Sequence, residues 1–148
     1  MRKSDRGKTP SGDLFPATCR ERGLRVTPQR VAVLKALSGA KDHPTADAIH
    51  RRVRAEHPNI SFDTVNRTLL TFAEVGIVDI VEGRGGPRRF DPNMEKHHHV
   101  HCVRCGRIVD FYSDVFDGLA VPKEVEESFK VLSKKVAVTA ICRDCDTE

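Results

Sequence analysis

The sequence predicts an α+β fold in two parts: short capped helices closed by a hairpin, followed by a smaller α/β part. Three observations favour it. A Ser or Thr precedes an apolar segment of helical period three times in the first 90 residues. Residues 91–148 hold short strand-like segments and four of the five cysteines. The first 90 residues carry 17 Lys and Arg against 10 Asp and Glu, a net charge of +7, whereas residues 91–148 carry 8 against 11, a net charge of −3.

The first two helices are predicted from their end signals. Residues 14–22 form the first helix, which stops before Gly23, the residue type most common just past a helix C-terminus. Thr27 is a good N-cap for the second helix, and Pro28 fits its first position. That helix ends at Ser38 and Gly39. Its buried face is predicted to consist of Val31, Leu34 and Leu37.

The third and fourth helices are also predicted to begin at a Ser or Thr N-cap. Thr45 is the predicted N-cap of a helix whose Ile49 and Val53 side chains face the core. Pro58 is expected to terminate this helix. Ser61 caps the fourth helix, which runs to about residue 76. The side predicted to be buried holds Val65, Leu69 and Phe72. The opposite side holds Thr64, Arg67, Thr68 and Thr71.

A basic hairpin follows the four helices. Residues 78–82 are strand-like, 83–87 form a turn, and 88–90 form the return strand. Helices followed by such a hairpin describe a winged helix-turn-helix, whose last helix enters the DNA major groove. Asn66 can form two hydrogen bonds with adenine, and Arg67 can form two with guanine. The alternative for both residues is that they are ordinary polar surface residues. The predicted DNA contacts are Ser61, Thr64, Asn66, Arg67, Arg84, Arg88 and Arg89.

The positive charge of the first part fits the same interpretation. A net charge of +7 confined to one part indicates a surface that meets a polyanion such as double-stranded DNA. A solvated charged face is the alternative. No apolar segment approaches the roughly 20 residues that span a bilayer, and residues 1–12 read as a flexible tail without a signal peptide. We therefore expect a cytoplasmic protein with no membrane partner.

The second part is expected to need a metal or a partner subunit. Strands are predicted over residues 100–103 and 107–111, and again from Val131 and over 136–141. Between them, one amphipathic helix is predicted through Val121, Val125 and Phe129. Fewer than 60 residues rarely supply a sufficient core on their own. A structural metal, a second subunit, or both should complete this part.

Two CxxC pairs predict a structural zinc site. Cys102, Cys105, Cys142 and Cys145 supply the four thiolates that a tetrahedral zinc prefers. Reduced cysteines without a metal are the alternative. Because the protein fills all four positions on such an ion, no position is open for a substrate, and we expect no catalysis there. Cys19 stands apart and reads as a small buried hydrophobic residue.

A histidine-rich segment, HHHVH over residues 97–101, lies just before the first pair. Alternate residues of a strand share a side, so His97 and His99 can converge while Cys102 turns the other way. With Asp91 and Asp110 nearby, these imidazoles make a mixed N/O site suited to Fe(II) or Mn(II). A solvated histidine tract that binds metal adventitiously is the alternative.

Together these residues resemble the ferric uptake regulator family of metal-dependent repressors. The resemblance covers about residues 14–145. The segments that carry it are Val26-Thr27-Pro28-Gln29-Arg30, His43-Pro44-Thr45-Ala46, the helix over 61–69, Arg89-Phe90-Asp91, HHHVHCVRCG, Val109-Asp110-Phe111 and the terminal CRDC.

The resemblance implies a homodimer that binds operator DNA and has no organic cofactor. Each subunit would have a winged-helix domain over residues 13–90 and a dimerisation and metal-binding domain over 91–148. The four cysteines of the CxxC pairs would hold zinc. A regulatory Fe(II) or Mn(II) would join the two domains, and its loss would release the operator. By matching motifs, its ligands would be His43, Asp91, His97, His99 and Asp110.

Asp110 makes the chain similar to the peroxide-sensing members of the family. That similarity implies that bound Fe(II) reacts with hydrogen peroxide and that His43 or His97 is oxidised irreversibly. Such a reaction is self-modification without turnover, so we do not expect an enzyme. A repressor of iron, manganese or zinc homeostasis is the alternative within the family. A zinc hydrolase or metal-storage module, with Glu95 as general base, is a remote alternative.

Four positions depart from the family pattern. Lys96 and His98 stand where iron-uptake members tend to have further ligands, so the resemblance implies no extra metal site there. Asn66 replaces the usual Tyr, and Asp63 places a negative charge near the phosphates. The family's operator sequence is therefore not transferred to this chain. His101 reads as an ordinary strand residue.

Overall fold

The computed structural model describes residues 15–81 and 86–147. The chain divides into two compact units, Met1–Glu95 and Lys96–Glu148. The predicted tail over 1–12 and the predicted DNA contact Arg84 lie outside the described residues. Among the described residues, no helix has the length and apolar character needed to cross a membrane.

Four helices build the first unit, and the three predicted caps are confirmed. The helices are α1 (Phe15–Glu21), α2 (Pro28–Leu37), α3 (Ala46–Arg54) and α4 (Phe62–Glu74). The side chains of Thr27, Thr45 and Ser61 each accept a hydrogen bond from the backbone N–H three residues later, at 3.2, 3.2 and 3.1 Å. Caps of this kind are each worth about 1 kcal/mol. They therefore set where α2, α3 and α4 begin.

The helices pack around one apolar core. Most of the side chains predicted to be buried are buried: Leu34, Leu37, Ile49, Val53, Val65, Leu69 and Phe72. Two predictions are wrong. Val31 is 40% exposed, because α2 turns its neighbours Ala32 and Val33 inward instead. Thr68 is buried, and its hydroxyl donates a hydrogen bond to the Thr64 carbonyl at 2.8 Å, which satisfies the buried polar group.

The helix ends differ in how well they were predicted. Gly23 follows α1 and Gly76 follows α4, both with the positive φ that favours glycine, at 71° and 74°. The third helix does not run to Pro58. It ends at Arg54, because a tighter turn begins there, in which the Ala55 N–H bonds to the Arg52 and Val53 carbonyls.

An antiparallel hairpin completes the first unit. Strand β1 (Asp79–Val81) pairs with β2 (Arg89–Asp91) in a register that sets Ile80 opposite Phe90. The segment before α3 lies beside β2, because the Phe90 N–H donates to the Pro44 carbonyl at 2.9 Å and Thr45 forms a β-bridge with Arg89. The hairpin therefore places residues 43–45 next to β2.

A three-stranded sheet forms the centre of the second unit. Strand β3 (His98–Cys102) lies between β4 (Ile108–Phe111), which is antiparallel to it, and β5 (Ala137–Ala140), which is parallel. Gly106, with φ of 73°, lies in the predicted turn between β3 and β4. Two short helices, α5 (Asp114–Asp117) and α6 (Lys123–Ser128), lie between β4 and β5.

The helix and one strand predicted in this unit are wrong in detail. Helix α6 has only six residues; Pro122 is its N-cap, and Phe129 beyond its end is extended. Phe129 is also 70% exposed, so the apolar period of Val121, Val125 and Phe129 does not mark a buried helix face. Residues 131–136 form no strand, and α5 was not predicted. These segments are short and expose much of their apolar surface, so apolar periodicity is a poor guide to them.

Candidate functional site

Four cysteine sulfurs converge in the second unit. The first CxxC pair lies at the end of β3 and in the turn that follows, and the second pair follows β5. Since β3 and β5 are parallel neighbours with Cys102 opposite Ala140, both pairs lie at the same end of the sheet. The four sulfurs are all within 4.8 Å of one another. The spacing thus predicted a set that the fold brings together.

The distances of this cluster fit a tetrahedral zinc. The sulfurs of Cys105 and Cys142 lie 3.8 Å apart. Two sulfurs that are each about 2.3 Å from a tetrahedral zinc would lie about 3.8 Å apart. An all-thiolate set leaves no open position on such an ion. The cluster therefore fits a structural zinc and not a catalytic one.

Backbone groups prepare one of these sulfurs for a metal. The N–H groups of Cys105 and Cys142 lower the pKa of Cys102 to about 6, because they stabilise the thiolate. The Cys142 N–H donates to the Cys102 sulfur at 3.3 Å. By contrast, a hydrogen bond with the Cys142 thiol, together with burial, raises the pKa of Cys145 to about 12. Only a bound cation could hold all four sulfurs as thiolates near neutral pH.

Two histidines and a carboxylate form a second cluster in this unit. The Nε2 atoms of His97 and His99 lie 3.0 Å apart. The Asp110 Oδ1 atom lies 3.5 Å from the first and 3.2 Å from the second. Asp110 reaches them because it pairs directly with His99 across β3 and β4. The predicted convergence of these two histidines is confirmed.

This donor set suits a divalent ion that is harder than copper(I). Both histidines are buried, His97 completely. Two imidazole nitrogens that are about 2.1 Å from one ion and at right angles about it would lie about 3.0 Å apart. A mixed set of imidazole and carboxylate donors suits iron(II), manganese(II) or zinc. The three side chains therefore form a chemically suitable part of a metal site.

The first unit offers two further donors. His43 Nε2 and Asp91 Oδ2 lie 3.5 Å apart, and both side chains are buried. His43 has a φ of 48°, a left-handed conformation that costs a residue other than glycine about 1–2 kcal/mol. The Arg89 guanidinium donates to the His43 carbonyl at 3.2 Å. The surrounding chain thus holds His43 in a conformation that it would not adopt alone.

Helix α4 presents several of the predicted DNA contacts. The Ser61 hydroxyl caps the helix and lies 2.9 Å from the Thr64 hydroxyl. Asn66 is half-buried. Arg67 is exposed, and its Nε atom lies 3.0 Å from an Asp63 carboxylate oxygen one helical turn earlier.

The hairpin arginines differ in their surroundings. Arg88 is exposed, whereas Arg89 is half-buried and bonds to the His43 carbonyl. Arg89 thus has a structural task that its sequence position did not reveal. Cys19 is fully buried and burial raises the pKa of its thiol, as expected of a small core residue.

Sequence reasoning missed one pair of residues in the second unit. His98 is fully buried, and its Nε2 atom lies 2.9 Å from the Asp117 Oδ1 atom. The alternation of a strand would have placed His98 on the face opposite His97. No local pattern would have found Asp117, because its helix α5 has only four residues.

Comparisons with known proteins place the chain in a family. The model of the Ferric uptake regulator family matches residues 21–139. The peroxide-responsive repressor PerR of Staphylococcus epidermidis is 34% identical over 132 residues, which cover 89% of this chain and 88% of that protein.

Two solved structures have the same fold. The Helicobacter pylori ferric uptake regulator superposes with a TM-score of 0.76 at 20% identity, covering 95% of this chain and 97% of that one. The Francisella tularensis ferric uptake regulator with iron superposes with a TM-score of 0.69 at 27% identity, covering 83% and 95%. This chain, as its motifs led us to expect, belongs to the ferric uptake regulator family.

Proposed function

We propose that this chain is a metal-dependent transcriptional repressor that releases its operator when peroxide oxidises its regulatory site. The observation that carries the proposal is the convergence of the buried His97 and His99 with the half-buried Asp110, separate from a closed set of four cysteines. The similarity to a peroxide-responsive repressor supports peroxide as the signal.

The two clusters of the second unit have different tasks in this proposal. The four cysteines hold zinc permanently, because their sulfurs close its coordination. The histidines and the carboxylate hold iron(II) or manganese(II), which such donors bind and exchange more readily. The solved relative that contains iron supports iron as an occupant.

The regulatory site is completed, in our proposal, by His43 and Asp91 of the first unit. Iron(II) and manganese(II) favour more ligands than the second unit's three donors supply. His43 and Asp91 are themselves a buried imidazole and carboxylate, 3.5 Å apart. One ion shared by all five side chains would tie the sensing unit to the DNA-binding unit. Metal binding would then favour one arrangement of the two DNA-binding units of a homodimer.

The response to peroxide follows from where the histidines lie. Iron(II) held by these residues would give one electron to hydrogen peroxide, whose O–O bond would break into hydroxide and a hydroxyl radical, and would recover an electron when the imidazole carbon takes up that oxygen and loses a proton. Manganese(II) would react far more slowly. His97 is fully buried, so an oxidant formed beside it meets the imidazole before it meets solvent. His43 is the other predicted target. An oxidised imidazole is a poorer donor, so the ion is lost and the operator is released. The chain modifies itself once and turns over no substrate.

DNA binding is assigned to α4 and the hairpin. The N-terminal part of α4 would enter the major groove, where Asn66 and the exposed Arg67 reach base edges. Ser61, Thr64 and the exposed Arg88 would contact phosphates.

The test combines peptide mapping with an operator-binding assay. Protein loaded with iron(II) should gain oxygen on the peptides that contain His43 or His97 after peroxide treatment, and should lose operator binding. Protein loaded with manganese(II) is the matched control. Its histidines should stay unmodified, and it should still bind the operator. Unmodified histidines with intact operator binding would instead indicate a repressor that senses metal supply alone.

A further inference from the structure

A hydrogen-bonded pair, the buried His98 and the half-buried Asp117, lies directly behind the sensing histidines. His98 is 0% exposed and is the first residue of β3, with His97 directly before the strand and His99 next along it. Because side chains alternate along a strand, its ring lies on the face of the sheet opposite both of them. Its backbone is nevertheless bonded directly to the backbone of each. A constraint on His98 is therefore a constraint on both donors.

Both ring nitrogens of His98 are used in hydrogen bonds. The Val136 N–H donates to Nδ1 at 3.0 Å, so Nδ1 carries no proton. The proton of the neutral ring is then on Nε2, which donates to Asp117 Oδ1 at 2.9 Å. These bonds tie β3 to α5 on one side and to the segment before β5 on the other. His98 thus has no nitrogen left for a metal.

Aromatic rings and ammonium groups surround the pair. The ring of His98 packs against Phe111 and Phe116, with centroids 5.5 and 5.7 Å away. The Lys134 ammonium donates to the Asp117 carbonyl at 2.7 Å and also to the Leu119 carbonyl. The Lys96 ammonium lies 3.6 Å from Asp117 Oδ1. The positive charges of Lys96 and Lys134 disfavour a metal cation at this place and favour a network of hydrogen bonds.

We infer that His98 and Asp117 are positioning residues for the sensing site, and this inference rests on the proposed function. They fix the twist and register of β3, so that the Nε2 atoms of His97 and His99 stay converged. A site whose donors are already ordered loses less conformational freedom when it binds a metal. Hydrogen bonds that orient metal ligands typically change metal affinity 10- to 100-fold when they are removed.

The experiment compares two variants of the same side chain in the full-length, zinc-loaded protein. Asp117→Asn keeps an oxygen that accepts from His98 Nε2, whereas Asp117→Ala removes it. We measure manganese(II) affinity by titration, zinc content, and the melting temperature. Asp117→Ala should bind manganese at least about 10-fold more weakly with its zinc retained. Asp117→Asn should bind manganese nearly as the parent protein does.

Two control variants separate an effect on the position of the metal ligands from a general loss of stability. Phe116→Leu weakens the packing on the His98 ring but leaves its hydrogen bonds, and should lower the melting temperature without changing manganese affinity. Lys96→Met removes only the exposed ion pair and should change neither. Unchanged manganese affinity in Asp117→Ala, or an equal loss in Phe116→Leu, would overturn the inference. If the parent protein binds no manganese at all, the proposed function fails as well.

Discussion

Among the described residues other than glycine, His43 is the one with a positive φ. Its φ of 48° is in the left-handed region, which Asn visits more easily than other L-residues do. The sequence motif His43-Pro44-Thr45 identified the side chain as a candidate ligand. It did not show the conformation, which depends on the hydrogen bond from Arg89, 46 residues away.

His43→Asn should therefore separate folding from sensing. We expect a melting temperature close to that of the parent protein, because Asn tolerates the left-handed conformation. Manganese-dependent operator binding should be lost, because the imidazole donor is gone. Thermal unfolding and an electrophoretic shift assay measure the two effects. Operator binding that still requires manganese would show that His43 is no ligand.

Cys142→Ser should remove the zinc from the second unit and destabilise its fold. The variant leaves three of the four thiolates, and binding of a structural metal is itself folding free energy. We expect zinc content to fall from about one ion per chain and the second unit to unfold well below the melting temperature of the parent protein.

Cys19→Ala is the matched control for that experiment, because it removes a buried cysteine outside the cluster. It should keep its zinc, although the lost sulfur costs some stability in the first unit. Metal analysis and circular dichroism provide the readouts. A Cys142→Ser protein with full zinc content would contradict the assignment of the cluster.

At the scale of single elements, helix α4 carries an intramolecular pair that bears on DNA binding. Asp63 lies in its first turn and holds the exposed Arg67 at 3.0 Å. A carboxylate there repels phosphates and competes with the DNA for the guanidinium. In the proposed complex with DNA, Asp63 would therefore lower the affinity for DNA of any sequence.

Asp63→Asn should bind both operator and unrelated DNA more tightly, by similar factors, so that the ratio between the two affinities stays nearly unchanged. The change removes a repulsive charge whose effect does not depend on base sequence. Fluorescence anisotropy at two salt concentrations measures both affinities. Glu74→Gln, at the far end of α4, is the control and should leave them unchanged. Weaker binding by Asp63→Asn would show that the carboxylate contributes contacts of its own.

The elements of the first unit were largely predictable, and those of the second were less so. Thr27, Thr45 and Ser61 form caps whose geometry is local, so the sequence alone locates the starts of three helices. Phe129 shows the opposite case. Its apolar character suggested a buried helix face, yet it lies beyond α6 and is largely exposed, because short segments follow tertiary surroundings more than periodicity.

In the metal clusters, too, local patterns were predictable and contacts between distant residues were not. The spacing of the cysteines and the alternation of His97 and His99 are local patterns, so both sets were predictable. The tie between His98 and Asp117 spans 19 residues and depends on a helix that has no periodic signal. The structural task of Arg89 was hidden for the same reason.

For the molecule as a whole, large apolar side chains remain exposed in the second unit. Val115, Phe129 and Leu132 are 75%, 70% and 85% exposed. Exposed apolar residues of this size are costly in water when they cluster, and they favour association with another surface. They support the homodimer expected of the family.

Phe129→Asp combined with Leu132→Asp should weaken that dimer. Each change places a charge where apolar contact is expected, and DNA affinity should fall because a monomer engages only one half-site. Light scattering after size-exclusion chromatography measures the assembly. Val26→Asp, an exposed apolar position of the first unit, is the control and should stay dimeric. A double variant that stays dimeric would place the interface elsewhere.

The parallel pairing of β5 with the central strand β3 also sets an order of events during synthesis. The first unit has all its strands and helices once residue 91 has been made, so it can fold while the ribosome is still translating. The second unit cannot close until β5 and the cysteines beyond it have emerged. A nascent chain would therefore acquire its DNA-binding surface before it acquires the means to regulate it.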